Sequence, residues 1–521
     1  MPTLAAISFS ILDWSVLLGY FAILAVTGWW FSRKELEGAR EYFLANRQMP
    51  MWAVAISVLA TSTSAATFIG SPEEGYARNL TYLSTNIGGV IAVLIVARFF
   101  IPIYYKHNVM TVYDLLEVRF GHSAKEASSW MFMIGRVMAS GSRLFMAAIP
   151  LSLILFHETK DWQLVAAIAV LTLVGIFYTL VGGIRSIIYT DVIQFAVFIL
   201  AAVAAVVVLL VKIPAPIGEV WSALASAKAP DGSAKLSILR FDTDPSVVYT
   251  IFTAAIGFAM LNLASYGTDH DIAQRMLTCK SALEGSRSVI VAILLNLPMQ
   301  LIFLSIGVLL WVFYTRPDLM GGSAAPAPEK SGEVFVRFIL DHMPSGMAGV
   351  MMAGLFAAGL GSFNSALNAM GATFVNDVYA KRVRNKSDRH YLVVGRWAVV
   401  IWGVILGAFA GVCVWWQKGS GETLISFALG IMTFAYAGLL AVFLTALFTR
   451  RGNSASAIAA LAVGFLATLV MQPVVWNAIP IDALPDMTVA WPWRFVIATA
   501  LALGVCLAGR SHANSTHLRA A

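Results

Sequence analysis

The feature that most constrains this chain is a long series of apolar stretches, each about as long as a bilayer is thick. A helix needs about 20 predominantly apolar residues to cross the hydrocarbon core. Composition agrees with spanning helices, because 59% of the 521 residues are hydrophobic, only 12% are charged and the mean hydropathy is +0.78. The sequence predicts an all-α polytopic membrane protein with one membrane domain over 1–521 and about thirteen spans, near residues 12–31, 50–77, 82–104, 127–156, 162–182, 187–212, 247–266, 288–314, 347–378, 392–417, 421–449, 455–474 and 491–509.

Basic residues in the connections predict the orientation of the chain. Lys and Arg accumulate in alternate connections, at 33–47, 106–125, 185, 275–287, 381–389 and 450–451. Because cytoplasmic loops carry this excess, we expect the N-terminus outside and the C-terminus in the cytoplasm. The net charge of +7 then reports orientation rather than a nucleic-acid partner. No basic region precedes 12–31, so this stretch is predicted to be a retained helix rather than a cleaved signal peptide.

Several functional classes are disfavoured by what the sequence lacks. It contains no HExxH, GxSxG or phosphate-loop motif, so we expect no enzyme. A channel would more often show a short repeated pore segment, and a transporter-like sensor would need a signalling domain, which we do not expect after the last helix. The three cysteines, Cys279, Cys413 and Cys506, form no CxxC pair and are interpreted as packing residues. These observations leave transport as the preferred reading.

Five hydroxyl side chains fall within LATSTSAATFIG (59–70), midway along the second predicted span. One or two such residues commonly bond back to helix carbonyls or let helices pack closely. Five point in every direction around a helix, and Gly70 and Pro72 follow. The pattern therefore predicts a broken helix that lines a polar cavity. Freed carbonyls and hydroxyls there would offer the oxygen ligands that Na⁺ needs, while exposed N–H groups would face an anionic substrate group.

A second cluster of small and polar residues lies in 352–379, which is rich in glycine. Close helix packing explains the glycines. Packing does not explain Asn364 and Ser365 side by side on a helix with no charge to solvate. This segment is predicted to supply the other side of the polar site.

Charged side chains within spans cost several kcal/mol and usually have a function. Asp191 lies about one turn into its helix, where it is either an interfacial acid that the helix dipole favours or a cation ligand or proton carrier. Arg136 and Arg143 are seven residues apart and share one helix face. Arg136 can snorkel, whereas Arg143 is about midway through its span and needs a fixed partner, for which a substrate carboxylate is an economical choice.

Four stretches resemble the sodium/solute symporters, the group that includes the sodium/proline, sodium/galactose, sodium/pantothenate and sodium/sialic acid carriers. They are ISVLATSTSAATFIGSPEEGY (56–76), GGIRSIIYTDVIQ (182–194), GTDHDIAQR (267–275) and LFAAGLGSFNSALNAMGATFVNDVY (355–379). The resemblance implies a LeuT-like fold: an extra N-terminal helix at 12–31, two inverted five-helix repeats at 50–213 and 247–449, and two C-terminal helices at 455–509. The two broken helices would be 50–77 and 247–266.

The resemblance also implies a sodium site. Its ligands would be the carbonyls of Ala60, Thr63 and Ala358 and the hydroxyl of Ser362. Family members commonly carry a further hydroxyl at the position of Gly361, so the site here has four protein ligands, adds water, or binds Na⁺ more weakly. A second sodium site would use Asp191, Asn364 and Ser365, and a carboxylate at 191 keeps a proton-coupled carrier open as the alternative.

The substrate implied by the resemblance would lie between the broken helix, the next helix and the arginine helix, in contact with Ser62, Ser64, Thr67, Tyr82, Asn86 and one of Arg136 and Arg143. The expected cargo is an amino acid, a monocarboxylate, pantothenate or a sugar acid such as sialic acid, and a neutral sugar is the main rival. We expect import by alternating access, with Na⁺ as coupling ion and no organic cofactor. The expected partners are the solute, Na⁺ and membrane lipid, without nucleic acid or an obligate protein, in a bacterial inner membrane.

Overall fold

A computed structural model describes residues 9–32, 44–180, 184–322, 324–479 and 486–510 of the chain. Parts of two predicted segments, the basic connection at 33–47 and the end of the span at 162–182, lie outside the described residues. Helices dominate the described ranges, which contain no strand beyond two isolated bridges. The first seven membrane helices are α1 (Ile11–Ser32), α2 (Met51–Ser62), α3 (Ala65–Ala77), α4 (Thr81–Lys106), α5 (His122–Phe156), α6 (Asp161–Thr179) and α7 (Ile184–Lys212).

The second half of the chain continues in the same way after a long connection that holds a short helix, Ile217–Ser226. A π-helical segment, Thr253–Phe258, leads into the next helices. These are α8 (Ala259–Thr268), α9 (His270–Met276), α10 (Ala282–Thr315), α11 (Met347–Arg382), α12 (Asp388–Ser420), α13 (Leu424–Phe448), α14 (Ser454–Val470) and α15 (Trp491–Ala508). Two further short helices, Asp114–Phe120 and Val334–His342, lie in connections.

The apolar helices confirm the all-helical membrane class. Nine helices in the described ranges are long and apolar enough to cross a bilayer, and the bent pair of α2 and α3 raises the number to ten. Two shorter apolar helices, Ile11–Thr27 and Ser454–Val470, coincide with two more predicted spans. The full number of thirteen stays a prediction.

The broken helix of α2 and α3 is surrounded by other helices. Helix α3 packs along α10, and α2 packs against both α10 and α7. Helix α11 contacts α2, α3, α5 and α7, so it passes beside the interruption. Nearly all of α11 is buried, whereas many apolar side chains of α6, α7 and α12 face outward, as expected for helices that contact lipid.

A buried acid joins the first helix to this core. The carboxylate of Asp13, on α1, accepts hydrogen bonds from the backbone N–H groups of Gly346 (2.7 Å) and Gly349 (2.8 Å). Gly346 is the N-cap residue of α11 and Gly349 lies in its first turn, where N–H groups have no partner within the helix and the dipole favours a negative charge. Asp13 is therefore a capping residue supplied by a different helix.

Both predicted interruptions exist, but the second lies elsewhere than expected. Between α2 and α3 the axis bends by 62°. The second broken helix was predicted at 247–266. The structure instead breaks at Asp269, between α8 and α9, and this correction has a local cause. The extended backbone of Asp269 ends α8, and its side chain caps α9 by accepting from the N–H of Asp271 at 3.0 Å.

Candidate functional site

Capping explains several of the hydroxyls at the first interruption. Thr63 is extended (ψ 150°) and ends α2. Ser64 then caps α3, because its Oγ accepts from the N–H of Ala66 at 3.2 Å while Thr67 Oγ1 accepts from the N–H of Ser64 at 3.3 Å. This reciprocal pair is a capping box, which satisfies donors at the start of a helix. Ser64 and Thr67 thus satisfy backbone donors at the break with groups from the chain itself.

The same arrangement frees a backbone oxygen. The N–H of Ser64 would bond the carbonyl of Ala60 if the helix continued, but it bonds Thr67 instead. The Ala60 carbonyl keeps one donor, Thr63 Oγ1 at 3.1 Å. A carbonyl oxygen has two lone pairs, so it retains capacity for a cation. Ala60 is also partly accessible, although its neighbours Leu59 and Thr61 are buried.

Helix α11 brings the other predicted sodium ligands to this region. A Cβ added to Gly359 would lie 3.7 Å from the Cβ of Ala65, the first residue of α3, so the two helices approach closely at the break. Ser362 Oγ donates to the Gly359 carbonyl at 3.0 Å, which leaves the lone pairs of the hydroxyl available. Gly361 is the one accessible residue between Met351 and Thr373. The face of α11 where the ligands are expected is therefore accessible at Gly361.

A cavity of about 110 Å³ lies next to the break. Five of the predicted substrate residues line it: Ser62, Thr67, Tyr82, Asn86 and Arg143. Thr63, Thr85, Asn262, Ser265, Tyr266, Asn296 and Gln300 also line it, and sequence reasoning did not select them for the substrate site. The hydrophilic stripe of Asn262, Ser265 and Tyr266 on α8 was the available signal. Ser64 and Arg136, the other two predicted substrate residues, are not part of the lining.

Side-chain amides form one wall of the cavity. Asn86 Oδ1 accepts from Asn296 Nδ2 at 2.8 Å, and Asn86 Nδ2 donates both to the Leu83 carbonyl (3.0 Å) and to Gln300 Oε1. The ring of Tyr82 meets that of Tyr249 edge to face, with centroids 5.3 Å apart. The wall is therefore neutral and rich in donors and acceptors, which suits hydroxyl or amide groups of a solute.

Arg143 and Arg136 have different surroundings, although they share a helix face. Arg143 is 8% exposed, and its Nη2 lies 3.4 Å from the thioether sulfur of Met432. Within the described part of the chain no carboxylate approaches its guanidinium within ion-pair distance. Arg136 instead pairs with Asp269 (Nε to Oδ1, 3.1 Å) and Asp271 (Nη1 to Oδ2, 3.2 Å). Only Arg143 is directed at the cavity with its charge unmatched by a close partner.

The three residues predicted for a second sodium or proton site each have a separate partner. Asp191 accepts from Ser57 Oγ at 2.5 Å and from Arg275 Nη2 at 3.1 Å. Ser365 donates to Asp271. Asn364 Oδ1 accepts from Thr179 at 2.9 Å.

A buried charge network thus surrounds the second interruption. Arg275 bridges Asp191 and Asp271, and Arg136 bridges Asp271 and Asp269, which also accepts from the Tyr436 hydroxyl. All these side chains are buried. The pairing of Arg275 was missed by sequence reasoning, which treated this residue as one more cytoplasmic basic residue. Its position six residues after Asp269 gave no sign of the partner on another helix.

A lysine outside the spans fixes the end of the broken helix. Lys235, in the connection between α7 and the π-helical segment, is 1% exposed and donates to the Tyr76 carbonyl at 2.6 Å, in the last turn of α3. Burial lowers the pKa of Lys235 to about 8. The contact ties the long connection to the end of α3.

No group of three or more His, Cys, Asp or Glu side chains forms a metal cluster within the described ranges. The oxygens gathered at the first interruption are instead backbone carbonyls and hydroxyls, which suit a hard monovalent cation. An interrupted membrane helix beside a polar cavity is the arrangement typical of secondary transporters.

Comparison with known proteins identifies the family. Residues 42–464 match the profile described as the sodium:solute symporter family. The chain belongs to this family, is a sodium-coupled symporter, and uses Na⁺ as its coupling ion.

Among similar proteins are sodium/sialic acid symporters from Proteus mirabilis (29% identical; 88% of this chain and 89% of that protein) and Aliivibrio fischeri (30%; 87% and 86%). A sodium/glucose cotransporter from Vibrio parahaemolyticus is 28% identical, over 86% of this chain and 83% of that protein.

The solved structure of a Na⁺-coupled sialic acid symporter in a substrate-bound outward-open state matches with a TM-score of 0.78 and 25% identity, over 96% of this chain and 98% of that one. Mhp1, a nucleobase-cation-symport-1 family transporter, shares the fold with a TM-score of 0.51 and 16% identity, over 90% of this chain and 93% of that one. The relatives are transporters, in agreement with the family predicted from the sequence.

Proposed function

We propose that this symporter imports a small carboxylate-bearing solute, and that a sugar acid of the sialic acid type is the first candidate. The observation that carries the proposal is the buried guanidinium of Arg143, which faces the cavity without a carboxylate partner. A carboxylate on the cargo would supply a charge-assisted and often bidentate partner. The similarity to two sodium/sialic acid symporters supports the same class of cargo.

The charges around the two interruptions support coupling to a cation. Arg136, Arg143 and Arg275 are balanced by three acids, Asp191, Asp269 and Asp271. An arriving cargo carboxylate would leave one negative charge in excess, and a Na⁺ ion would restore neutrality. Since an unbalanced charge is costly at low dielectric, cargo and cation stabilise each other.

Each predicted substrate residue has a distinct role in this proposal. Arg143 holds the carboxylate, while Ser62, Thr67, Tyr82 and Asn86 offer hydrogen bonds to hydroxyl or amide groups of the cargo. Ser64 acts as a positioning residue through its cap on α3. Arg136 is a positioning residue as well, because its charge is already used by Asp269 and Asp271.

We place Na⁺ between the carbonyls of Ala60, Thr63 and Ala358 and the hydroxyl of Ser362, beside Gly361. Because Asp191, Asn364 and Ser365 each have another partner, we infer that one sodium ion accompanies each cargo molecule. The similarity to sodium-coupled carriers favours sodium over proton coupling.

In the proposed cycle Na⁺ fastens α2 and α3 against α11 from the outside and organises the cargo cavity. Its loss to the cytoplasm lets these helices separate, which requires that Na⁺ bind the two states differently. The proposed architecture has thirteen spans, with two inverted repeats at 50–213 and 247–449. The proposal further includes a bacterial inner membrane, an external N-terminus, a cytoplasmic C-terminus, no enzymatic reaction and no obligate protein partner.

The test is the melting temperature of the purified protein with a panel of sialic acid, other sugar acids, amino acids, monocarboxylates, pantothenate and neutral sugars, each in NaCl and in choline chloride. We expect stabilisation by a carboxylate in NaCl only. Stabilisation by a neutral sugar would contradict the carboxylate proposal, and an equal shift in choline chloride would contradict the proposed sodium site.

A further inference from the structure

Gly361 creates a deficiency at the proposed sodium site, because glycine offers no hydroxyl on the face of α11 that carries Ala358 and Ser362. Positions 358, 361, 362 and 365 share one face of this helix. A cation there would have few side-chain oxygens on this face. The space beside Gly361 is nevertheless accessible within an otherwise buried stretch.

Another helix directs an oxygen into that space. A Cβ built on Gly361 would lie 2.5 Å from Oε1 of Gln194, with the amide carbon at 3.4 Å and Nε2 at 3.9 Å. The oxygen is thus the nearest atom of the amide. Such a distance is shorter than a Cβ tolerates, so the amide of Gln194 occupies the volume that a side chain at 361 would need.

Gln194 is well placed for this role by its position on α7. It is 4% exposed and lies one turn from Asp191, on a helix that packs against both α2 and α11. These two helices carry the other proposed ligands. Asp191 is already bound by Ser57 and Arg275, so it leaves the neighbouring amide as the polar group of α7 nearest to Gly361.

We propose that Gln194 completes the sodium site, with its side-chain oxygen taking the place of the hydroxyl that Gly361 lacks. This inference rests on the sodium site in the proposed function. An amide carbonyl is a hard oxygen ligand of the same kind as the backbone carbonyls of the site. The two positions form a complementary pair: a small residue on α11 makes room for a long amide on α7.

The pair is tested by a double-mutant cycle with sodium alone as the ligand. The melting temperature of the detergent-purified protein is measured across NaCl concentrations, with choline chloride keeping ionic strength constant. Losing an interaction with a charged group costs roughly ten-fold or more in affinity, so Gln194→Ala should raise the half-saturating sodium concentration about ten-fold. The double variant Gln194→Ala with Gly361→Ser should return to within about three-fold of wild type, because the serine hydroxyl restores an oxygen where the amide was.

Two controls separate the ligand from its surroundings. Tyr20→Phe removes a buried hydroxyl that lies beside the Gln194 amide and should leave the sodium curve unchanged. Gln194→Met keeps the volume of the side chain without its oxygen, so it should behave like Gln194→Ala even if the smaller residue destabilises the fold.

A wild-type sodium curve in both Gln194 variants would overturn the inference. Ser362→Ala distinguishes a failure of the Gln194 inference from a failure of the proposed sodium site. If Ser362→Ala weakens sodium binding while the Gln194 variants do not, the site stands and Gln194 is not a ligand. If none of these variants changes the curve, the proposed sodium site itself is wrong.

Discussion

The two interrupted helices of this protein are stabilised in opposite ways. At the first, between α2 and α3, the chain uses neutral groups: a Ser64 and Thr67 capping box and hydroxyls that return to nearby carbonyls. At the second, at Asp269, it uses a buried ion pair: Arg136 donates to the Asp269 carboxylate, which also accepts from the Tyr436 hydroxyl. The neutral break leaves carbonyl oxygens and a cavity open to ligands. The charged break is filled by partners from the chain itself.

This difference indicates a division of labour. The guanidinium of Arg136 is paired with Asp269 and Asp271 and could bind a cargo only by losing a buried pair, so we expect the second interruption to act as a fixed support. In the proposed cycle the first interruption exchanges ligands, and its hydroxyls and N–H groups have partners within the chain. Arg143 lies near both interruptions. The charges of Asp269 and Asp271 act on its guanidinium, but it forms no ion pair with either of them.

Breaking the charged interruption should have the largest effect. Arg136→Gln leaves Asp269 and Asp271 short of a buried counter-charge, which typically costs about 3–5 kcal/mol. We expect a large fall in the melting temperature of the purified protein. Adding Asp269→Asn to this variant should recover part of the loss, because the uncompensated charge is removed. If Arg136→Gln is as stable as the wild type, the charge network does not contribute to the stability of the fold.

Removing the unpaired arginine should affect binding rather than stability. A hydrogen bond to a charged group contributes about 1.5–3 kcal/mol, so Arg143→Gln should weaken carboxylate binding at least ten-fold while the protein stays folded. Isothermal titration with the carboxylate that stabilises the wild type measures the loss. Wild-type affinity in this variant would exclude Arg143 as the carboxylate ligand.

Weakening the neutral interruption should lower the stability of the protein less than breaking the charged interruption does. Ser64→Ala removes an N-cap, which is worth about 1 kcal/mol, and should also lower sodium affinity because the break is less well ordered. Asn453→Ala is the matched control, since Asn453 forms a similar capping box with Ser456 at the start of α14. The control should lose comparable stability and keep the sodium dependence of uptake. If Ser64→Ala keeps a normal sodium curve, the cap on α3 does not contribute to sodium binding.

The smallest effect is expected at the edge of the charge network. Ser365→Ala removes one hydroxyl from Asp271, which keeps both guanidinium partners. Sodium-dependent uptake in proteoliposomes should keep its half-saturating concentration within about two-fold and a Hill coefficient near 1, because only one sodium site is proposed. If the wild type instead has a Hill coefficient near 2 and Ser365→Ala has a lower one, the result would support a second sodium site that includes Ser365.

The sequence by itself determined the membrane class, the positions of the long apolar helices in the described ranges and the first interruption. Apolar length fixes where helices can span, since unpaired backbone groups cannot remain in lipid. The hydroxyl run at 61–67 marked the first break because Ser and Thr compete locally with helix bonds, an interaction between residues close in sequence. The family followed from motifs of the same local kind.

Tertiary structure decided which polar groups are free and which are used. Arg136 and Arg143 lie on one face of one helix, yet one meets two aspartates of the second interruption and the other faces the cavity. The second interruption is capped locally by Asp269, but the charge that stabilises this buried carboxylate comes from Arg136 on α5, far away in sequence. Gln194 was not selected at all, since nothing near it in sequence shows that Gly361 makes room for it. Hydrogen bonds and ion pairs between distant segments depend on how helices pack, and one sequence read along its length does not contain that distance information.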